Sequence, residues 1–174
     1  MRKIFKGVLV LSSFILIVAL MPVPQTTAAD TETFVNQSPH FILTVPKWPN
    51  SSKSRNPNMV LRRAFDPDEI TTFEAAVADL PEGASYKDLA KGLIDFLKEK
   101  YSASACKTLY EREIKLQDGT PAYEMEVRWA HPAILLFTYE VVVFKDKKMV
   151  TVSVTDANRI SDKLKQIPMS LTFK

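Results

Sequence analysis

The sequence predicts an α+β fold: a mainly antiparallel sheet, one long central helix and a C-terminal helix. Three observations carry this reading. Apolar residues recur at helical spacing between Tyr86 and Tyr101. Two strand–turn–strand units follow, with apolar and polar residues alternating along them. Their turns hold Asp118-Gly119 and Lys145-Asp146-Lys147-Lys148, and such short connections join antiparallel strands.

Residues 30–38 are polar and read as a loose arm. Phe41 to Val45 is a short apolar run, expected as the first strand and stopped by Pro46. Lys47 to Asn58 has no period and reads as a surface loop. Met59 to Phe65 suits a strand, closed by Asp66-Pro67-Asp68. Thr72 to Leu80 mixes helix-favouring alanines with strand-favouring Thr72, Phe73 and Val77. It is assigned to a strand because Pro81-Glu82-Gly83 ends it quickly.

The helix from Tyr86 to Tyr101 has Ser85 placed as a cap and Asp88 three positions on. Leu89, Ala90, Leu93, Ile94 and Leu97 form its apolar face. In the hairpins, Tyr123, Met125, Val127 and Trp129 alternate with Glu124, Glu126 and Arg128. Ile134 to Phe144 is almost continuously apolar, and Val150, Val152 and Val154 alternate with Thr151, Ser153 and Thr155. A last helix is expected from Asp156 or Asn158, with Ile160, Leu164 and Ile167 inward and Pro168 as its end. Met169 to Phe173 reads as a terminal strand or docked tail.

Residues 1–29 read as a secretory signal peptide, leaving 30–174 as a single domain. Arg2, Lys3 and Lys6 precede an apolar run from Gly7 to Met21, and Thr27-Ala28-Ala29 precedes Asp30. As a helix the run spans roughly 22 Å at 1.5 Å per residue, short of a bilayer core of about 30 Å. Cleavage is therefore expected rather than the alternative, a permanent membrane anchor; nothing after residue 30 is apolar and long enough to span, so no stable membrane span is expected after cleavage. The expected location is the bacterial periplasm, with secretion from the cell as the alternative.

The 23 basic and 20 acidic residues include three basic residues and no acid in that leader, so the remainder is balanced. Nucleic acid is not an expected partner, since such proteins carry a basic excess. Cys106 is the single cysteine; an intramolecular disulfide is excluded, and the thiol is expected to be buried.

Local residues add a resemblance. Phe-Ile-Leu-Thr-Val-Pro-Lys-Trp at 41–48, Asp-Gly-Thr-Pro-Ala at 118–122 and Ser-Leu-Thr-Phe at 170–173 resemble the opening strand, hairpin turn and closing tail of PsbP/Mog-like domains. Lys47 stands alone where that pattern carries a glycine. The group includes extrinsic PsbP proteins of photosystem II, Mog-type Ran-binding proteins and exported bacterial DcrB-like proteins. The resemblance implies a three-layer α/β/α domain and little about activity, because a fold does not fix a function.

Catalytic signatures are scarce. Four glycines, one of them Gly7 in the leader, form no phosphate-cradling loop. There is no Gly-x-Ser-x-Gly and no His-Glu-x-x-His, and His40 lies far from His131. The pairs Glu111/Glu113 and Glu124/Glu126 are expected on solvated strand faces, with a calcium site or a catalytic pair as the sharper alternatives. No cofactor or metal is expected.

Two regions remain as binding candidates. Trp48, with Lys53, Arg55, Arg62 and Arg63, either anchors a partner or covers the core edge. Trp129 and His131 either hold a ligand or form turn structure before Pro132. The chain is accordingly expected to be a non-enzymatic binding or accessory module, a monomer or weak dimer, whose partner is another envelope protein or a small ligand. A carrier of an apolar ligand, suggested by Phe137, Tyr139 and Trp129, is the alternative. A weak hydrolase or metal-dependent enzyme using His131 or Glu126 ranks last.

Overall fold

Two-residue alternation builds the centre of the molecule. In the computed structural model, which describes residues 30–51 and 56–174, six strands form one antiparallel sheet. They are β3 (Met59–Ala64), β4 (Thr72–Asp79), β5 (Ser104–Lys115), β6 (Pro121–His131), β7 (Ile134–Lys145) and β8 (Lys148–Asp156). Their order is β3-β4-β8-β7-β6-β5, so the predicted hairpins run on as a meander. Gly119 has φ +83 in the first turn, while Asp146 and Lys147 have φ 52 and 59 in the second. These left-handed values match the twist of flanking strands.

A smaller sheet of β1 (Thr31–Gln37), β2 (His40–Pro46) and β9 (Thr172–Phe173) lies on one face, with α2 (Asp162–Met169). Phe41, Leu43 and Val45 pack there against Phe73, Val141, Val143, Val152 and Val154. On the other face, α1 (Leu89–Tyr101) sets Leu93 and Leu97 near Val127 and Trp129. Ser85 caps the preceding 3-10 turn by accepting from the Lys87 N–H at 3.2 Å. Tyr86 stacks on Phe144 with centroids 4.4 Å apart, fixing the helix start to the sheet. The result is the predicted α+β, three-layer arrangement.

Several elements differ from expectation. Residues 31–37 are not an arm but β1, paired along its length with β2. Phe34 packs on the core while every second residue faces out, so an edge strand of mostly polar residues hides in a polar segment. The last helix starts at Asp162 under a Ser161 cap. Asp156 instead ends β8, where its carboxylate accepts the Thr71 hydroxyl at 2.8 Å and the Asn158 N–H at 2.6 Å. Pro168 lies inside the last turn, not beyond it. Cys106 is half-buried on the sheet-edge strand β5 rather than buried. Residues 1–29, expected to be the signal peptide, lie outside the described residues, as do Lys53 and Arg55.

Candidate functional site

The helix α1 rests on β5 and β6, at one side of a six-stranded face. Among the described elements, nothing comparable covers β4 and β8 on that face. Between the helix flank and this open floor lies a cavity of about 780 Å³. Its helical wall is Leu89, Gly92, Leu93, Phe96 and Leu97. Gly92 faces open space, since a Cβ there would meet nothing within 4 Å.

The floor is polar, because here the alternation turns serine, threonine and acids toward α1. Pairing register lines up Arg62, Glu74, Ser153 and Glu140 in one row across β3, β4, β8 and β7. The adjacent row is Thr72, Thr155 and Thr138. Trp129 Nε1 donates to Thr138 Oγ1 at 2.9 Å, and Thr138 shares a 2.9 Å hydrogen bond with Thr155. Arg62 is 10% exposed; it donates to Glu69 Oε2 at 2.6 Å and lies 3.4 Å from Glu74 Oε2.

Glu140 stands out in that row. Its side chain is half-buried on the groove floor. Burial, reinforced by the charge of Glu74, pushes its pKa from 4.5 up to about 8. No hydrogen bond or ion pair joins it to a described residue.

Three predicted residues meet at this cavity: Arg62, Trp129 and His131 all line it. Trp129 is buried with its N–H satisfied, and His131 pairs with Ile134 where the β6–β7 connection begins. Trp48 and Arg63 are elsewhere. Adjacent strand residues point to opposite faces, so Arg62 and Arg63 do not share a surface. Trp48 is 6% exposed and packs on Phe65 and Phe73. Arg63 donates to the Trp48 carbonyl at 3.1 Å and to Glu32 Oε1 at 2.5 Å. Trp48 also lines a second cavity of about 500 Å³ beside α2. Phe137 and Tyr139 pack on that opposite side too, so of the three proposed apolar-ligand aromatics only Trp129 faces the groove.

Glu124 and Glu126 are not solvated. Both are buried, on the face of the sheet where Lys165 of α2 reaches Glu126. Glu126 accepts from Lys165 Nζ of α2 at 2.8 Å, and Arg159 Nε lies 3.6 Å away. Glu124 accepts from Arg112 and from the Tyr139 hydroxyl. Burial and the Glu124 hydrogen bond push the Tyr139 phenol far above its ordinary value. These carboxylates are held as structural ion pairs and hydrogen-bond acceptors. Among the described residues, no group of three or more His, Cys, Asp or Glu side chains is arranged to hold a metal.

Neither the lone acid within the apolar run of β7 nor the glycine on the inner flank of α1 marks a site by motif. Glu140 was legible as an anomaly: a carboxylate inside a buried strand requires a partner, a proton or a cavity.

A six-stranded antiparallel sheet between one helix and a small-sheet-plus-helix layer defines the PsbP/Mog-like fold, and solved structures match it closely. Cyanobacterial PsbP (CyanoP) from Synechocystis sp. PCC 6803 superposes with a TM-score of 0.67 at 12% identity, over 89% of this chain and 99% of that one. The Saccharomyces cerevisiae Ran-binding protein Mog1p superposes with a TM-score of 0.60 at 10% identity, over 84% of this chain and 96% of its own. Identities this low establish a shared fold. No protein-family profile matches the chain, and no curated protein matches it in sequence.

Proposed function

We propose that the chain is an exported, non-enzymatic binding module of the bacterial envelope, and that it binds a small ligand in the groove under α1. Residues 1–29 support export by their charged start, apolar middle and small-residue exit. The periplasm is the compartment this favours. The observation that carries the binding reading is the 780 Å³ cavity between α1 and a polar sheet floor. It falls within the roughly 300–1,000 Å³ of small-molecule sites, which pair apolar walls with a few placed polar groups. The floor makes the ligand amphiphilic rather than wholly apolar.

A second reading is an envelope protein as partner. The Ran-binding protein Mog1p, with the same fold, supports it. The two readings separate on a plug in the groove. Gly92→Trp starts from a position where an added Cβ meets nothing within 4 Å, directs a large ring at the groove, and replaces glycine by a better helix former. Native mass spectrometry of gently purified wild-type protein should show a non-covalent small-molecule adduct, absent from Gly92→Trp. Consistently bare wild-type protein, with a protein partner recovered equally by both forms, would remove the small-ligand reading.

A further inference from the structure

We propose that the groove under α1 takes a ligand carrying one cationic nitrogen on an apolar body. The nitrogen sits at Glu140 and Ser153, and the body lies along Leu93, Phe96 and Leu97. The inference rests on the reading of the groove as the binding site and specifies its ligand.

The argument starts from the central row of the floor. Glu74, Ser153 and Glu140 occupy successive strands, so the backbones of the two acidic residues flank that of the serine at about one strand spacing each, roughly 5 Å. Arg62 lies 3.4 Å from Glu74 on its far side. Glu140 has no such partner among the described residues. A half-buried carboxylate beside a second acid, without a cation or donor, is costly; burial and the charge of Glu74 raise the Glu140 pKa to about 8, so the free protein holds it largely protonated near neutral pH. A ligand ammonium offers the other solution. It can donate to Glu140 and to Ser153 Oγ together, while its hydrocarbon covers the apolar helix wall.

Among the described residues that line the wider groove, acids outnumber strong bases: Asp68, Glu69 and Asp88 join Glu74 and Glu140, against Arg62 and Lys100. Arg62 is committed to Glu69 and Glu74. An anionic ligand would lie beside the Glu74 carboxylate with Arg62 already committed. A neutral one would leave Glu140 as it is. A cation turns the site's main cost into a charge-assisted hydrogen bond, which is roughly twice as strong as a neutral one.

Binding then moves a proton. Near pH 7 the Glu140 carboxyl is mostly neutral. When the ammonium arrives, the Glu140 O–H proton leaves to solvent and the carboxylate forms the ion pair. No other bond changes.

Calorimetric titration of the purified protein with octylamine, 1-octanol and octanoate tests this, since the three share one apolar body. Octylamine is expected to bind at least about tenfold tighter than 1-octanol, with octanoate weakest, and to release close to one proton near pH 7. Glu140→Gln should weaken octylamine about tenfold and 1-octanol much less, so that the preference for the amine is lost. Gly92→Trp should abolish binding of all three. If 1-octanol or octanoate matches octylamine in the wild type, the cation inference is wrong; loss of that binding in Gly92→Trp would leave the groove reading standing. Failure of all three to bind overturns both.

Discussion

Lys165→Met is expected to cost about 3–5 kcal/mol of stability, the usual penalty for breaking a buried ion pair from one side. The size follows from an asymmetry in burial. The Glu126 side chain is 0% exposed, that of Lys165 19% and that of Arg159 72%. Removing the lysine strands a fully buried carboxylate, whose remaining cation is 3.6 Å away and largely in solvent. Lys165 Nζ also donates to the Tyr110 hydroxyl at 3.1 Å and sits 5.2 Å from the Tyr139 ring centroid, contacts that the methionine loses. Glu126→Gln should cost less, because Lys165 can turn its nitrogen toward water. The double substitution Lys165→Met with Glu126→Leu should recover most of the loss. Urea unfolding near neutral pH measures all three. Equal losses for the two single variants would refute the asymmetry.

The pH dependence of that pair has a definite sign. Burial pulls the Lys165 pKa down, but its hydrogen bonds and charge interactions with Glu126 and Tyr110 outweigh it and leave a net rise. The stabilisation is therefore complete below the ordinary lysine value of about 10.4. It is lost as pH rises through the folded value, where the gap between wild type and Lys165→Met should narrow.

Glu140→Gln is expected to do the opposite: stabilise the protein, and increasingly so toward alkaline pH. The folded Glu140 pKa of about 8 exceeds the ordinary 4.5. Between those values the folded state holds a proton that the unfolded chain releases, so wild-type stability falls as pH rises through this window. The shift corresponds to at most about 5 kcal/mol, less as groove water screens the charge. Glutamine cannot titrate and escapes the penalty. Unfolding at about pH 5 should show the two proteins nearly equal, and at about pH 9 the variant should be more stable by a few kcal/mol. A difference independent of pH would mean that the carboxyl is not held in the neutral form.

Sequence periodicity carried much of the fold. The α1 apolar face, the Asp118-Gly119 turn and the alternating valines of β8 each followed from spacing alone, and Thr72–Asp79 is the strand its early Pro-Glu-Gly stop implied. What failed depended on neighbours distant in sequence. Polar β1 is a strand because β2 offers it a register. Glu124 and Glu126 looked solvated because nothing local reveals that Lys165 of α2 reaches Glu126 on their face of the sheet.

The site was less legible. Trp48, Arg62 and Arg63 looked like one patch by sequence proximity, although period-two alternation already places Arg62 and Arg63 on opposite faces. Arg62, Trp129 and His131 meet only because β3 and β6 belong to one sheet beneath α1. The groove itself arises from where α1 lies across the sheet, over β5 and β6, and no residue pattern encodes that offset.

Amide NMR of the isotope-labelled protein titrated with octylamine tests most directly whether this groove is the binding site. Saturable shifts should concentrate at Glu140, Ser153, Leu93 and Phe96, and vanish in Gly92→Trp. Shifts centred instead on Trp48, Ile167 and the β1–β2–β9 sheet, or no saturable response at all, would contradict it.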